Sequence, residues 1–175
     1  MENNFPNGTA PNLPAWWRRF FLVALFAVWW GGFTFYALIV IPTGHQVLRS
    51  KIRQGFITQQ VTQKMNYLCA VLLALLALEL YLASRQKKEE AKLRMGWTAW
   101  GIMVVCLCAL WLIHGRMDAL LDFQSRSVID DNKFYAVHRI YLLVATTQWL
   151  AGLFALSWIL NTFKLLSAKL VSRNG

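Results

Sequence analysis

The stretch IHGRMDALLDFQSRSVIDDNKFYAVHRIYLLVATTQ, residues 113–148, decides the fold. It holds two of the three histidines, His114 and His138, and four of the eight acidic residues. It also joins two uncharged apolar runs, each long enough to cross the roughly 30 Å of hydrocarbon in a bilayer. The stretch therefore predicts that two antiparallel membrane helices turn at one membrane face.

The composition agrees with a membrane protein. Of the 175 residues, 57% are hydrophobic and 15% are charged, whereas a soluble domain has about 25% charged residues. The net charge of +10 does not indicate a nucleic-acid partner, because Lys and Arg lie in loops and at the ends of apolar runs, where they face lipid headgroups. The three cysteines lie inside apolar runs and indicate small hydrophobic residues rather than disulfides. The predicted partner is the lipid bilayer.

The apolar runs predict an all-α polytopic protein, a bundle of four transmembrane helices formed by residues 16–166. We expect the spans at residues 20–41, 65–84, 95–113 and 134–163. Pro42 and Gly44 are expected to end the first helix. Residues 46–64 are expected to form a short amphipathic helix or hairpin on the membrane surface. The Pro-rich segment 1–15 predicts a disordered or partner-bound tail, and residues 167–175 form a basic C-terminal tail.

Four spans place the N-terminus, the second loop and the C-terminus on one side of the membrane. By this topology that side carries ten of the 18 Lys and Arg residues and the other side eight. Because the short, most basic loop adds weight to the larger count, we expect both termini in the cytoplasm, residues 86–93 cytoplasmic and residues 124–132 external. The expected location is a bacterial cytoplasmic (inner) membrane, with all three histidines at its outer, periplasmic face.

The histidines are the candidate cofactor ligands. His114 ends the third span, His138 opens the fourth, and His45 follows the first, so all three are expected at a similar depth. Neutral imidazole binds copper and haem iron, and histidines on two facing helices are a common haem site. Asp118, one turn beyond His114, is positioned to orient its imidazole. The pattern predicts a site for haem b or copper, against the alternative that the histidines cap carbonyls or pair with aspartates.

Two polar side chains inside the spans have structural and functional readings. Glu79 is expected to reach the interface or to pair with Arg85; the alternative is a buried functional acid. Gln148 shares a face of the fourth span with His138 and Tyr141, and is expected to hydrogen-bond between helices rather than to line a conduction path. Gly31 and Gly32 are expected to mark a close crossing of the first helix with a neighbour.

Three hypotheses for function follow. The lack of catalytic signatures, including a nucleophile elbow or a phosphate loop, and the aromatic surplus favour an accessory or scaffold subunit packed against other membrane protein subunits. The alternative is a redox or metal-handling protein that uses the histidines. A weaker alternative is a small transporter or channel, which requires Glu79 and Gln148 to line one cavity.

Short motifs also carry a family resemblance. Trp30-Gly31-Gly32, Phe35 and Ile41-Pro42 in the first span, with Phe134 and His138-Arg139 in the fourth, resemble small four-span membrane proteins of unknown function, a group that includes the human cisplatin-resistance membrane protein. The four-span layout is also similar to CopD-like copper-resistance domains, where histidines are suspected metal ligands. The resemblance implies a four-helix membrane fold and no established activity.

Overall fold

The fold is an all-α bundle of four membrane helices, as the sequence predicts. The computed structural model describes residues 15–85, 90–122 and 127–174. Within them four helices are long and apolar enough to cross a membrane: Trp17–Leu48, Arg53–Arg85, Glu90–Asp118 and Asn132–Asn161. The chain is therefore an integral membrane protein. The predicted tail over 1–15 lies outside the described residues except for Ala15, and so do residues 86–89 and 123–126 of the two loops.

The first span is longer than predicted and contains an irregular turn. Helix α1 (Ala15–Phe35) continues through a π-helical turn (Tyr36–Val40) into α2 (Ile41–Leu48). The expectation that Pro42 and Gly44 end the helix is wrong. In the π-turn the Ile41 amide donates to the Tyr36 carbonyl, five residues back. This wider turn accommodates the Pro42 ring, which would otherwise strike a carbonyl of the preceding turn.

The second span is one helix with the segment before it. Helix α3 runs from Lys51 to Arg85 over 35 residues, about 52 Å at 1.5 Å per residue. The predicted surface helix over residues 46–64 is wrong, because most of this segment is the first part of α3. The bundle covers part of its polar surface: Gln54, Gln59 and Thr62 are only 2%, 8% and 8% exposed, whereas Arg53 and Lys64 are exposed. Between α2 and α3, Arg49 has a left-handed backbone, with φ of 47°.

The turn within residues 113–148, on which the fold prediction depends, joins two long helices. Helix α4 covers Glu90–Asp118 and α5 covers Asp131–Asn174, so α5 includes most of the predicted C-terminal tail. Between them, two-residue strands β1 (Leu121–Asp122) and β2 (Ser127–Val128) pair antiparallel. Asp130 caps α5, because its Oδ1 accepts a hydrogen bond from the Lys133 amide at 3.1 Å. This bond and the Lys133 ammonium hold the pKa of Asp130 below its usual value.

The four spans differ in the share of their residues that is buried inside the bundle. The main core includes Leu72, Leu76 and Met103, each at most 1% exposed, and α1 contributes Leu22, Phe26 and Trp29 to it. In the most apolar window of each span, 39%, 33% and 39% of the residues of α3, α4 and α5 are buried, but only 17% of those in the first span. The first span is therefore the least covered of the four, although one of its faces belongs to the core.

Candidate functional site at the histidine end

Buried polar side chains concentrate at one end of the bundle. We call this the histidine end, because α2, the start of α3, the end of α4 and the start of α5 bring His45, His114 and His138 there. Among the described residues, eight polar or charged side chains are buried, and five of them belong to this end. We define the polar cluster as Gln54, Thr58, Gln59, Thr62, Asn66, His114, Asp118 and Tyr141.

The sequence contained a signal for this cluster. Gln54, Thr58, Thr62 and Asn66 recur at four-residue steps, which places them on one face of α3. The predicted surface helix or hairpin over residues 46–64 places the first three of these residues at the membrane surface. The structure turns this polar face inward, so the amphipathic spacing predicted a helix here but not the environment of its polar side chains.

One side of the polar cluster joins the first span to α3. The Tyr36 hydroxyl donates to Thr58 Oγ1 at 3.1 Å. The Thr58 hydroxyl in turn donates to the backbone carbonyl of Gln54 at 2.9 Å. Gly44 lies against the side-chain amide of Gln54, with which a Cβ at this position would overlap. The absence of a side chain at Gly44 therefore allows α2 to approach the polar cluster.

The other side joins α3 to α4 and α5. The Gln59 amide donates to Asp118 Oδ1, and the same oxygen lies 3.7 Å from Nε2 of the buried His114. The Tyr141 hydroxyl contacts the side chains of Thr62 and Asn66. The carboxylate of Asp118 thus contacts groups on α3 and α4, and it faces His114 as expected from the one-turn spacing.

Several buried atoms at this end have no hydrogen-bond partner among the described residues. They are Nε2 of Gln54, Oε1 of Gln59, Nδ2 of Asn66 and Nδ1 of His138. Each such atom costs about 1–3 kcal/mol if it stays unpaired. Buried polar groups are normally completed by protein, ordered water or a ligand. The histidine end is therefore the part of the bundle best suited to receive a polar group from outside the chain.

The three histidines have different surroundings. His114 is buried beside Asp118, and His45 is exposed on α2. His138 is partly buried, with its ring stacked on Phe134 at 6.1 Å between centroids and 6° between planes. In the part of the chain that the structure describes, no group of three or more His, Cys, Asp or Glu residues converges to hold a metal ion. The pair His114 and Asp118 is therefore the part of the expected site that the fold brings together, and cofactor binding stays a prediction.

Gln148 cross-links the middle of the bundle. Its amide donates to the Met103 carbonyl at 3.2 Å and lies 3.4 Å from Cys69 Sγ. Nearby, Trp149 donates to Thr34 Oγ1 at 2.9 Å and stacks on Trp30, with 4.8 Å between the ring centroids. Gln148 therefore forms the interhelical hydrogen bond expected from its position on α5.

Glu79 lies at the opposite end, which we call the arginine end and define by Arg18, Arg19, Glu79 and Arg94. Its carboxylate lies 2.8 Å from Arg18 Nε and 3.7 Å from Arg19 Nε. The expected pairing with Arg85 is wrong: six residues along α3, Arg85 points elsewhere and contacts the Tyr81 ring and hydroxyl. Glu79 borders an apolar groove, and Gln148 is not among the residues that line it.

The two glycines of the first span differ. A Cβ at Gly32 would lie 3.2 Å from Met65 Cε, whereas a Cβ at Gly31 would meet none of the residues that the structure describes within 4 Å. Gly32 therefore faces α3 and Gly31 does not, because one residue rotates the helix by about 100°. The close helix crossing expected at the two glycines stays a prediction, since the atoms near Gly32 are the end of a flexible side chain. Sequence reasoning missed Gly96, whose Cβ would lie 2.6 Å from Leu80 and 3.0 Å from Trp158.

The fold and its two polar ends define a four-span integral membrane protein. Comparisons with protein-family models, curated proteins and solved structures found no match. The resemblance to the four-span group and to CopD-like domains stays a prediction.

Proposed function

We propose that this chain is a non-catalytic accessory or scaffold subunit of a larger membrane complex, and that the outer face of α1 is its contact surface. The observation that supports the proposal is the open surface at Gly31. An added Cβ there meets none of the described residues within 4 Å, and the first span has the smallest buried share of the four.

The two faces of α1 are distinct. Leu22, Phe26 and Trp29 are at most 3% exposed and pack onto the core. Gly31 lies on the opposite side, about 180° around a helix with 100° per residue, and Ala27 precedes it by four residues. Small residues spaced by four let the backbone of a second membrane helix approach closely.

Bulky side chains flank this notch. Phe20, Val28 and Phe35 are 52%, 60% and 56% exposed on the same outer side. A groove of small residues between large apolar ones gives a second helix extensive van der Waals contact, which drives helix association in lipid. The face therefore suits a helix of a partner subunit.

Native mass measurement from gently extracted membranes tests the proposal. We expect an assembly heavier than the 20.1 kDa chain that includes a different protein, and we expect Gly31→Leu to release the chain from it. Val71→Leu, at an exposed position of α3 outside this contact surface, is the matched control and should leave the assembly intact. A lone 20.1 kDa chain in every mild condition, or assembly only with copies of itself, would contradict an accessory role.

We also propose that the chain lies in a bacterial cytoplasmic membrane, with both of its termini in the cytoplasm. It is supported by the larger count of basic residues on the side of the termini. In a variant without the native cysteines, Asn132→Cys should react with an impermeant thiol reagent in intact cells, and Glu90→Cys only after lysis. The reverse pattern would invert the orientation.

A second candidate function is haem b or copper binding at the histidine end. The contact between Asp118 and His114 favours it, because a carboxylate that orients one imidazole nitrogen leaves the other as the ligand. The buried Nδ1 of His138 has no partner among the described residues. A visible spectrum and elemental analysis of the purified protein test this candidate: loss of colour or metal in His138→Ala supports it, and a colourless, metal-free protein excludes it.

The transporter alternative gains no support from the geometry. Glu79 is paired with arginines at one end, and Gln148 is hydrogen-bonded within the middle of the bundle. Tightly packed side chains, among them Leu72, Leu76 and Met103, lie in the core of the bundle.

A further inference from the structure

We propose that a groove between α4 and α5 at the arginine end binds one anionic phospholipid, with the phosphate at Arg94 and an acyl chain in the groove. The groove has a volume of about 790 Å³, within the range of about 300–1,000 Å³ typical of ligand sites. The residues that carry the argument are Glu90, Arg94, Ala99, Ile102, Ala151 and Phe154.

The depth of the groove follows from small residues on its floor. Ala99 of α4 and Ala151 of α5 are 4% and 6% exposed, and neither side chain extends far enough to fill the space between the helices. Ile102 and Phe154 form the walls and are half exposed. The small floor and the larger walls together form an apolar groove that is open to the lipid along one side.

The direction of the groove matches that of a lipid. Arg94, Thr98 and Ile102 follow at four-residue steps, so the groove runs along the axis of α4 for about 12 Å. It begins in the first turns of the helix, at the arginine end, and continues toward the middle of the span. An acyl chain lies in this direction, while its headgroup stays at the membrane surface.

The charge at the mouth selects an anionic headgroup. Arg94 is exposed there, beside the N-terminal end of α4, where the helix dipole also favours anions. Basic pockets between membrane helices bind anionic lipid headgroups in this way. Glu90 lines the same mouth and repels a phosphate, so the phosphate must lie on the Arg94 side.

A second groove at the arginine end provides an internal contrast. It has a volume of about 420 Å³ and is lined by Arg18 and Glu79 together with apolar residues of α1 and α3. There the arginine lies 2.8 Å from the carboxylate of Glu79, so its charge is already matched. The preference for an anionic lipid is therefore assigned to the Arg94 groove.

Lipid retention by the purified full chain in detergent tests the proposal. Native mass spectra recorded with dioleoyl phosphatidylglycerol or dioleoyl phosphatidylcholine should show tighter binding of the first phosphatidylglycerol. Arg94→Gln should weaken that binding about tenfold or more, the effect of losing a charge-assisted hydrogen bond. Glu90→Gln should strengthen it, and Ile102→Trp should weaken it by filling the groove.

Two matched controls separate this site from general attraction. Arg85→Gln removes an exposed charge at the same end but outside the groove, and Val105→Trp adds an indole on a part of α4 that does not line it. Both should bind phosphatidylglycerol as the parent chain does. Equal binding of the two lipids by the parent chain would overturn the proposal, as would losses in the controls equal to those in Arg94→Gln and Ile102→Trp.

Discussion

At the scale of single residues, the carboxylate of Glu79 connects α1 to α3 at the arginine end. Its side chain is only 8% exposed and lies against two guanidinium groups, of which that of Arg19 is also buried. Burying these charges is costly, and their mutual contacts offset the cost only while both signs are present. Glu79 is therefore best understood as a structural acid that fixes α1 to α3.

Replacing Glu79 with Ala should lower the stability of the protein by about 3–5 kcal/mol, because it leaves buried positive charge without its counter-charge. Thermal unfolding in mild detergent measures the change. Glu90→Ala, an exposed acid at the same end, is the control and should shift stability by no more than about 0.5 kcal/mol. Equal effects in the two variants would show that the ion pair contributes little.

The adjacent glycines of the first span should respond differently to one substitution. Gly32→Leu forces a side chain against Met65 and should destabilise the isolated chain by about 1–3 kcal/mol. Gly31→Leu places the same side chain in open space, so the melting temperature of the isolated chain should stay the same or rise. A loss of stability in Gly31→Leu of the same size would mean that Gly31 also faces the bundle.

At the scale of elements, the π-turn at Tyr36–Val40 explains how a helix continues through Pro42. A π-turn contains one more residue than an α-helical turn would need, and this extra residue separates the proline ring from the carbonyl it would strike. The same turn positions Tyr36 for its hydrogen bond to Thr58. The irregular turn thus serves both the path of the helix and the polar cluster.

Deleting the exposed Leu38 should convert the π-turn to an α-helical turn and bring Pro42 into conflict with the helix. We expect a loss of about 3 kcal/mol, the cost of proline inside a helix. Combining the deletion with Pro42→Ala should restore most of the loss, because the shortened helix then has a full set of backbone donors. Thermal unfolding of both variants checks this, and failure of Pro42→Ala to rescue would contradict the account.

At the scale of the whole molecule, the packing of α3, α4 and α5 depends on close contact at Gly96. Leu80 of α3 and Trp158 of α5 both lie where a side chain on Gly96 would be. Leu80 is fully buried, so it has little room to move away. This glycine therefore marks the point where all three core helices meet.

Gly96→Ala should destabilise the bundle, because the added methyl group pushes Leu80 and Trp158 apart. Gly101→Ala is the matched control on the same helix, since a Cβ there meets nothing within 4 Å. It should stabilise the protein by up to about 1 kcal/mol through helix propensity. Thermal unfolding in detergent again measures both, and a gain of stability in Gly96→Ala would refute the three-helix contact.

The features that could be predicted are those that neighbouring residues in the sequence determine. Long apolar runs identify four spans without any tertiary information, and helical spacing correctly places Gln148 on an inward face and Asp118 beside His114. The partner of Glu79 could not be predicted, because Arg18 is 61 residues away and only the packing of α1 on α3 brings it near. The surface position predicted for residues 46–64 is wrong for the same reason, because the environment of Gln54 and Thr62 depends on which helices cover them.

The stacked indoles of Trp30 and Trp149 give the protein an internal optical reporter. Their planes differ by 19°, and two such chromophores in contact couple their electronic transitions, which produces a paired signal in circular dichroism. Because one ring belongs to α1 and the other to α5, the contribution of this pair depends on the first span being docked on the bundle, whereas that of Trp97 and Trp100 arises within α4 alone. A spectroscopist can therefore follow the docking of the outermost helix, and its response to a partner or a lipid, without attaching any label.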